Sequence, residues 1–137
     1  MKHTPKPGAR HILVVDDEPS VLLTYQLILQ QEGYRVTGAA TSGEALVKLR
    51  ENDVDLLLCD LSLEEERSGF DVIESARKRD PGLPTVILTG YATKEVMDRA
   101  ERAKIGILFK PIDIEEFLRT IVEMLGENND EAKASGQ

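Results

Sequence analysis

One cysteine, two histidines and no G-x-G-x-x-G motif leave several chemistries without their usual residues. Cys59 has no partner for a disulfide within the chain. It closes the apolar run Leu56-Leu57-Leu58-Cys59, where a thiol behaves as a small hydrophobe and not as a redox centre. His3 and His11 stand at or before the first predicted strand, away from the other polar candidates, so no zinc site or histidine relay is expected from them. Without the glycine fingerprint after the first strand, a dinucleotide enzyme is disfavoured. No apolar stretch is long enough to span a membrane, and none follows the basic segment Met1 to Arg10 as it would in a signal peptide, so the chain reads as cytoplasmic. Positive charge is also short. Lys and Arg number 17 against 25 Asp and Glu, a formal charge of -8. A field of that sign repels phosphate backbones and anionic lipid, which argues against direct binding to DNA or membrane.

What is present is an ordinary globular chain of 137 residues, 41% hydrophobic and 31% charged. That is enough for one domain with a real core. The domain is expected over 11–125, between a flexible segment 1–10 and a polar tail 126–137 that has no face to bury. Short apolar runs alternate with longer amphipathic segments, the order of an α/β fold with a parallel sheet covered by helices. Strands are expected at Ile12–Val15, Arg35–Thr37, Leu56–Cys59, Thr85–Leu88 and Ile107–Phe109. Four are nearly continuous aliphatic runs, as strands buried on both faces should be, and the weaker Arg35–Thr37 run has the character of an edge strand. Helices follow each strand. The first runs from Pro19 to a stop at Gly33 on Leu22, Tyr25 and Leu29; the second is capped by Thr41 with Glu44 at capping-box spacing. The third begins near Ser68 and ends before Pro81. The fourth, capped by Thr93, has a thin apolar face of Val96, Met97 and Ala100, so tertiary packing must hold it and it is a candidate moving part. The fifth has Asp113 as cap, a wide stripe of Ile114, Phe117, Leu118, Ile121 and Leu125, and Gly126 as stop.

In an open parallel sheet, ligands bind outside the carboxyl ends of the strands. The residues there are Asp16 and Asp17 after the first run, Asp60 after the third, Thr89 after the fourth and Lys110 after the fifth. Three carboxylates in one pocket repel one another, and a divalent cation resolves the repulsion. So few ligands, all oxygen, favour Mg²⁺. The cation, Lys110 and the Thr89 hydroxyl would then neutralise or hydrogen-bond the oxygens of a transferring phosphoryl group. Asp60 would be the nucleophile, forming an acyl phosphate.

The segments VVDDEP at Val14 to Pro19, LLLCD ending at Asp60, ILTG at Ile87 to Gly90 and FKP at Phe109 to Pro111 resemble the four signatures of the response regulator receiver family over about residues 11 to 125. The resemblance implies a flavodoxin-like three-layer sandwich, its doubly wound sheet ordered 2-1-3-4-5. It puts the phosphoacceptor on Asp60, the direct acidic metal ligand on Asp17 and a second acid acting through water on Asp16. A further metal contact falls on the backbone carbonyl of Ser62. Phosphate-binding groups fall on Thr89, Gly90 and Lys110, the last before a proline often found in cis. A cognate histidine kinase or phosphotransfer protein is the implied donor and a downstream protein the implied reader. Dimerisation through the fourth helix, fifth strand and fifth helix is a further implied option. Enzymatic turnover of a substrate is not expected: Ser62 stands where an aspartyl-phosphate hydrolase commonly carries its general acid.

The chain departs from the family at two places. Ile107 stands where the family carries Tyr or Phe, the ring that swings inward with the threonine; Phe109 shares its strand parity. The stretch from Leu61 to Gly69 lacks a common proline, is one residue longer and carries Glu64, Glu65 and Glu66, read as a solvated loop with recruitment of cations or a basic partner as the sharper alternative. Tyr91, two residues past Thr89, is expected to shield the phosphoryl group in part. Ile107 and the altered loop keep open a second reading, a receiver-fold interaction module that does not depend on phosphorylation.

Overall fold

The computed structural model describes residues 8–61 and 66–126 of the chain. Residues 1–7, 62–65 and 127–137, with the expectations placed on them and on Ser62, lie outside the described residues. Five strands, β1 (His11–Val15), β2 (Arg35–Ala39), β3 (Leu56–Asp60), β4 (Thr85–Thr89) and β5 (Gly106–Phe109), alternate with five helices. These are α1 (Pro19–Gln31), α2 (Ser42–Glu51), α3 (Glu66–Arg79), α4 (Lys94–Ala103) and α5 (Ile114–Leu125). All pairings are parallel and the order is β2-β1-β3-β4-β5. The doubly wound α/β fold expected from the sequence is therefore the fold observed, with β2 at an edge.

The apolar runs of β1, β3 and β4 are buried at every position, because helices cover both faces. On one face Ile12, Val14, Leu56, Leu58, Val86, Leu88 and Leu108 pack on Tyr25 and Leu29 of α1 and Phe117, Ile121 and Leu125 of α5. On the other, Leu13, Val15, Leu57, Cys59 and Ile87 meet Ala45 and Leu49 of α2, Phe70, Val72, Ile73 and Ala76 of α3, and Val96 of α4. Each fully buried aliphatic side chain contributes roughly 1.5–3 kcal/mol. Cys59 is one of the buried set, packed as a small hydrophobe, and burial pushes its thiol pKa up.

Local signals set most helix ends. Gly33 takes φ 95° after α1, and the amides of Gly33 and Tyr34 close onto the carbonyls of Gln30 and Leu29. Thr41 accepts the Glu44 amide at 3.0 Å, while the Glu44 carboxylate accepts the amide of Ala40, one residue earlier than a reciprocal capping box requires. Asp113 accepts from Glu115 and Glu116, and Thr93 from Val96. Three details correct the sequence reading. Helix α3 starts at Glu66, before Ser68, and β2 extends to Ala39. Met97 and Ile114 belong to no buried stripe: they are 47% and 43% exposed, leaving Val96 and Ala100 as the buried residues of α4.

His11 lies at the opposite end of the sheet from the aspartates. Its ring nitrogens meet the Asp53 carbonyl at 3.1 Å and the Thr37 hydroxyl at 2.7 Å, and burial lowers its pKa below the ordinary 6.5. Folding thus favours the neutral ring. Its contribution is complete above the unfolded value and drains away as pH falls from there through the lowered folded value. We expect the urea midpoint to fall more steeply between about pH 7 and 5 for the parent than for a His11→Gln chain. Parallel falls would show that another group carries the acid sensitivity.

Candidate functional site

The strand ladders carry four of the expected residues to one edge with little freedom. Asp60 and Thr89 are the last residues of β3 and β4, still in register with Leu88 and Phe109, so each is fixed as part of the sheet itself. Asp16 stands one residue past β1, held by its amide on the Ala39 carbonyl at 3.0 Å. Lys110 stands one past β5, its amide on the Thr89 carbonyl at 2.8 Å, before a cis peptide bond to Pro111. Asp17 completes the group from the surface side.

One carboxylate oxygen from each of Asp16, Asp17 and Asp60 lies within 4.8 Å of the others. Asp16 and Asp60 are 1% and 2% exposed. The Lys110 ammonium donates to Asp60 Oδ2 at 3.0 Å and stands 3.8 Å from Asp16 Oδ2. Burial would by itself lower the Lys110 pKa, but the bond to Asp60 and the charges of Asp60 and Asp16 outweigh it and raise the value, so the ammonium stays charged. Asp16 is shifted upward, first by burial and then by Asp60 and Asp17, against the opposing Glu18 amide and Lys110. Its Oδ1 accepts that amide at 2.9 Å, while Oδ2 is buried with no hydrogen-bond partner.

A buried carboxylate oxygen without a donor costs folding free energy unless a cation faces it. Lys110 supplies one positive charge to a group of three acids. The remaining excess, and a donor set made only of oxygens, fit one hard divalent cation held by Asp16, Asp17 and Asp60.

Around this group the other expected residues separate. Thr89 is 5% exposed, and its hydroxyl is turned to its own loop, donating to the Tyr91 carbonyl at 2.8 Å and accepting the Tyr91 amide at 3.3 Å. Beside Gly90 the space that a Cβ would enter is open. Tyr91 is 78% exposed. Ile107 packs partly buried on the core face shared with Val96 and Ile73, whereas Phe109, at the strand end, is 48% exposed. Phe109 therefore does not occupy the place that Ile107 fills.

Tyr25, which helical spacing marks only as a core position, also feels the charges of this group. It stacks on Phe117 with ring centroids 5.2 Å apart, and its phenol feels Lys110, Asp16 and Asp60, although burial is the main reason its pKa is raised. Spacing alone gives no sign that its phenol lies in the field of these charges.

The family model described as the response regulator receiver domain matches residues 12–122. Among curated proteins, the transcriptional regulatory protein GlrR of Escherichia coli K12 is 31% identical over 129 residues, 93% of this chain but 28% of that protein. The chain thus spans between a quarter and a third of the length of such relatives. A CheY-like receiver domain protein from Methanospirillum hungatei superposes with a TM-score of 0.80 at 35% identity, covering 90% of this chain and 98% of that one. Response regulator TrrA from Thermotoga maritima, in complex with Mg²⁺-BeF, gives a TM-score of 0.73 at 29% identity, covering 84% and 98%.

Proposed function

The chain belongs to the response regulator receiver family, and from that premise we propose that it is a signalling switch that accepts a phosphoryl group on Asp60. The single observation that carries this reading is the arrangement of Asp60 between two further carboxylates and the Lys110 ammonium, with Asp16 Oδ2 buried beside it without a hydrogen-bond partner. Receiver domains in general are signalling modules and not turnover enzymes, and we place the chemistry of this one within its own residues 11–125.

Asp16, Asp17 and Asp60 would hold Mg²⁺, with the Ser62 carbonyl as a further ligand by family resemblance. When bound, the metal supplies charge neutralisation for the carboxylates and for the phosphoryl oxygens. An Asp60 carboxylate oxygen attacks phosphorus. The new O–P bond forms as the N–P bond of a donor phosphohistidine breaks, and the imidazole leaves with the bonding pair and takes up a proton. Lys110, already 3.0 Å from Asp60 Oδ2, moves its donated hydrogen bond to a phosphoryl oxygen. Thr89 releases the Tyr91 carbonyl and turns its hydroxyl inward, while the exposed Gly90 leaves room for the anion.

The donor is a histidine kinase or a phosphotransfer protein, placing the chain in the cytoplasm; among the described residues no helix is long and apolar enough to cross a membrane. A net charge of -8 supports output through a partner protein and not through DNA contacts of this domain. Exposed Met97 on α4 and Phe109 on β5 support the α4–β5–α5 face as the surface for that partner or for a second copy.

The test is intact-protein mass after incubation with acetyl phosphate, with and without Mg²⁺. A gain of one phosphoryl group that requires Mg²⁺ and is removed by hydroxylamine is the expected result. No gain with any of several donors would leave the phosphorylation-independent interaction module as the account, a reading that Ile107 favours by filling the place of the swinging ring.

A further inference from the structure

Helix α4 is held with little apolar area. Its buried residues are Val96 and Ala100, and it ends on Lys104 in the left-handed region at φ 58°, where glycine or asparagine is the comfortable residue. What binds it sideways is α3. The Arg99 guanidinium lies over the Phe70 ring, 4.0 Å from its centroid, and pairs with Glu74 one turn further along α3. Arg77 of α3 donates to the Ala103 carbonyl at the other end of α4 and to the Thr85 hydroxyl at 3.4 Å.

The first turn of α3 is in turn seated on the backbone of the site. A Cβ at Gly69 would stand 3.2 Å from the Asp60 carbonyl oxygen and 2.9 Å from Leu61 Cδ2, closer than a Cβ ordinarily comes to its neighbours. The Cys59 thiol points to the Gly69 carbonyl at 3.7 Å. Phe70 follows directly, 8% exposed in the same core face as Val96 and Ile107. A continuous set of contacts therefore runs from the Asp60 backbone through Gly69 and Phe70 to Arg99, and it does not use the position where Ile107 replaces an aromatic ring.

We propose that Arg99, stacked on Phe70 and paired with Glu74, is a positioning residue that holds α4 in its resting place and carries to α4 any shift of the Asp60–Gly69 contact. This rests on the reading that Asp60 takes the phosphoryl group. By linkage, a contact that holds the resting arrangement also opposes the activated one, so loosening it biases both ends.

Amide hydrogen exchange decides the matter, measured on the whole chain with and without Mg²⁺ plus beryllofluoride as a phosphoryl mimic. Without additive, the Arg99→Ala chain should exchange its α4 amides about tenfold faster than the parent, the factor that one exposed cation–π contact and one exposed ion pair amount to together, with α5 unchanged. Glu74→Gln, which keeps the stack, should give a smaller increase. With additive, the parent should change its exchange both beside Asp60 and along α4, while the Arg99→Ala chain responds fully beside Asp60 and by about half or less along α4. Parent-like resting exchange of α4 in Arg99→Ala overturns the clamp, and an undiminished α4 response overturns the coupling. If no amide beside Asp60 responds in either chain, the phosphoryl-site reading falls and the coupling falls with it, while the resting comparison still decides whether Arg99 holds α4.

Discussion

An Asp60→Asn chain should gain no phosphoryl group under conditions that add one to the parent. Asparagine keeps the shape of the side chain at a position 2% exposed, so the sheet end is retained, but an amide lacks the anionic oxygen that attacks phosphorus. Two other carboxylates stand within 4.8 Å, and their geometry argues that they cannot substitute. Asp16 commits Oδ1 to the Glu18 amide and keeps Oδ2 beneath the surface, while Asp17 is exposed and lacks the ammonium that Asp60 holds at 3.0 Å. Stability should change little. Losing the charge-assisted bond to Lys110 costs about 1.5–3 kcal/mol, and losing the like charge beside Asp16 offsets much of it. Intact mass with a melting curve reads both. A phosphoryl group on the Asn variant would move the acceptor to Asp16 or Asp17, and borohydride reduction with peptide mapping would then say which.

The parallel sheet explains why so much of this site was legible. Once Ile12–Val15, Leu56–Cys59, Thr85–Leu88 and Ile107–Phe109 are read as parallel strands, their carboxyl ends share one edge, and Asp16, Asp17, Asp60, Thr89 and Lys110 follow from chain direction alone. Side-chain state does not follow in this way. That the Thr89 hydroxyl is spent on the Tyr91 carbonyl depends on one rotamer and one loop turn. The burial of Asp16 beside an exposed Asp17 depends on where the chain leaves the sheet, which neighbouring identical residues cannot signal. Helical spacing places Met97 beside Val96 and Ala100 on one face, but a helix resting on so narrow a stripe turns such a neighbour to solvent. The contact of Arg99 with Phe70 joins two helices whose sequences carry no mutual period, so only the assembled layers reveal it.

Lys110→Ala should separate metal binding from phosphoryl transfer more sharply than any other change. The ammonium stands within ion-pair distance of both Asp60 and Asp16, and it is 30% exposed. Removing it takes a compensating charge away from two buried carboxylates. For a fully buried pair that costs about 3–5 kcal/mol, and solvent access here reduces it to roughly 1–3 kcal/mol. Mg²⁺ should restore most of that loss, and should bind the variant roughly three- to tenfold more tightly, because a competing cation has left the carboxylates. Phosphorylation should nevertheless slow by roughly 10²–10³-fold, the usual effect of deleting one preorganised donor to a developing anion. Lys110→Arg tests whether charge alone suffices: its larger planar fork should recover the metal-free stability but little of the rate, since the site presents Asp60 Oδ2 to a compact ammonium. Mg²⁺ titration by calorimetry and the initial rate of mass gain measure the two effects independently. Tighter metal binding with an unchanged rate would make Lys110 a structural counter-ion, and a slow rate with weakened metal binding would mean that the ammonium organises the aspartates and does not compete for them.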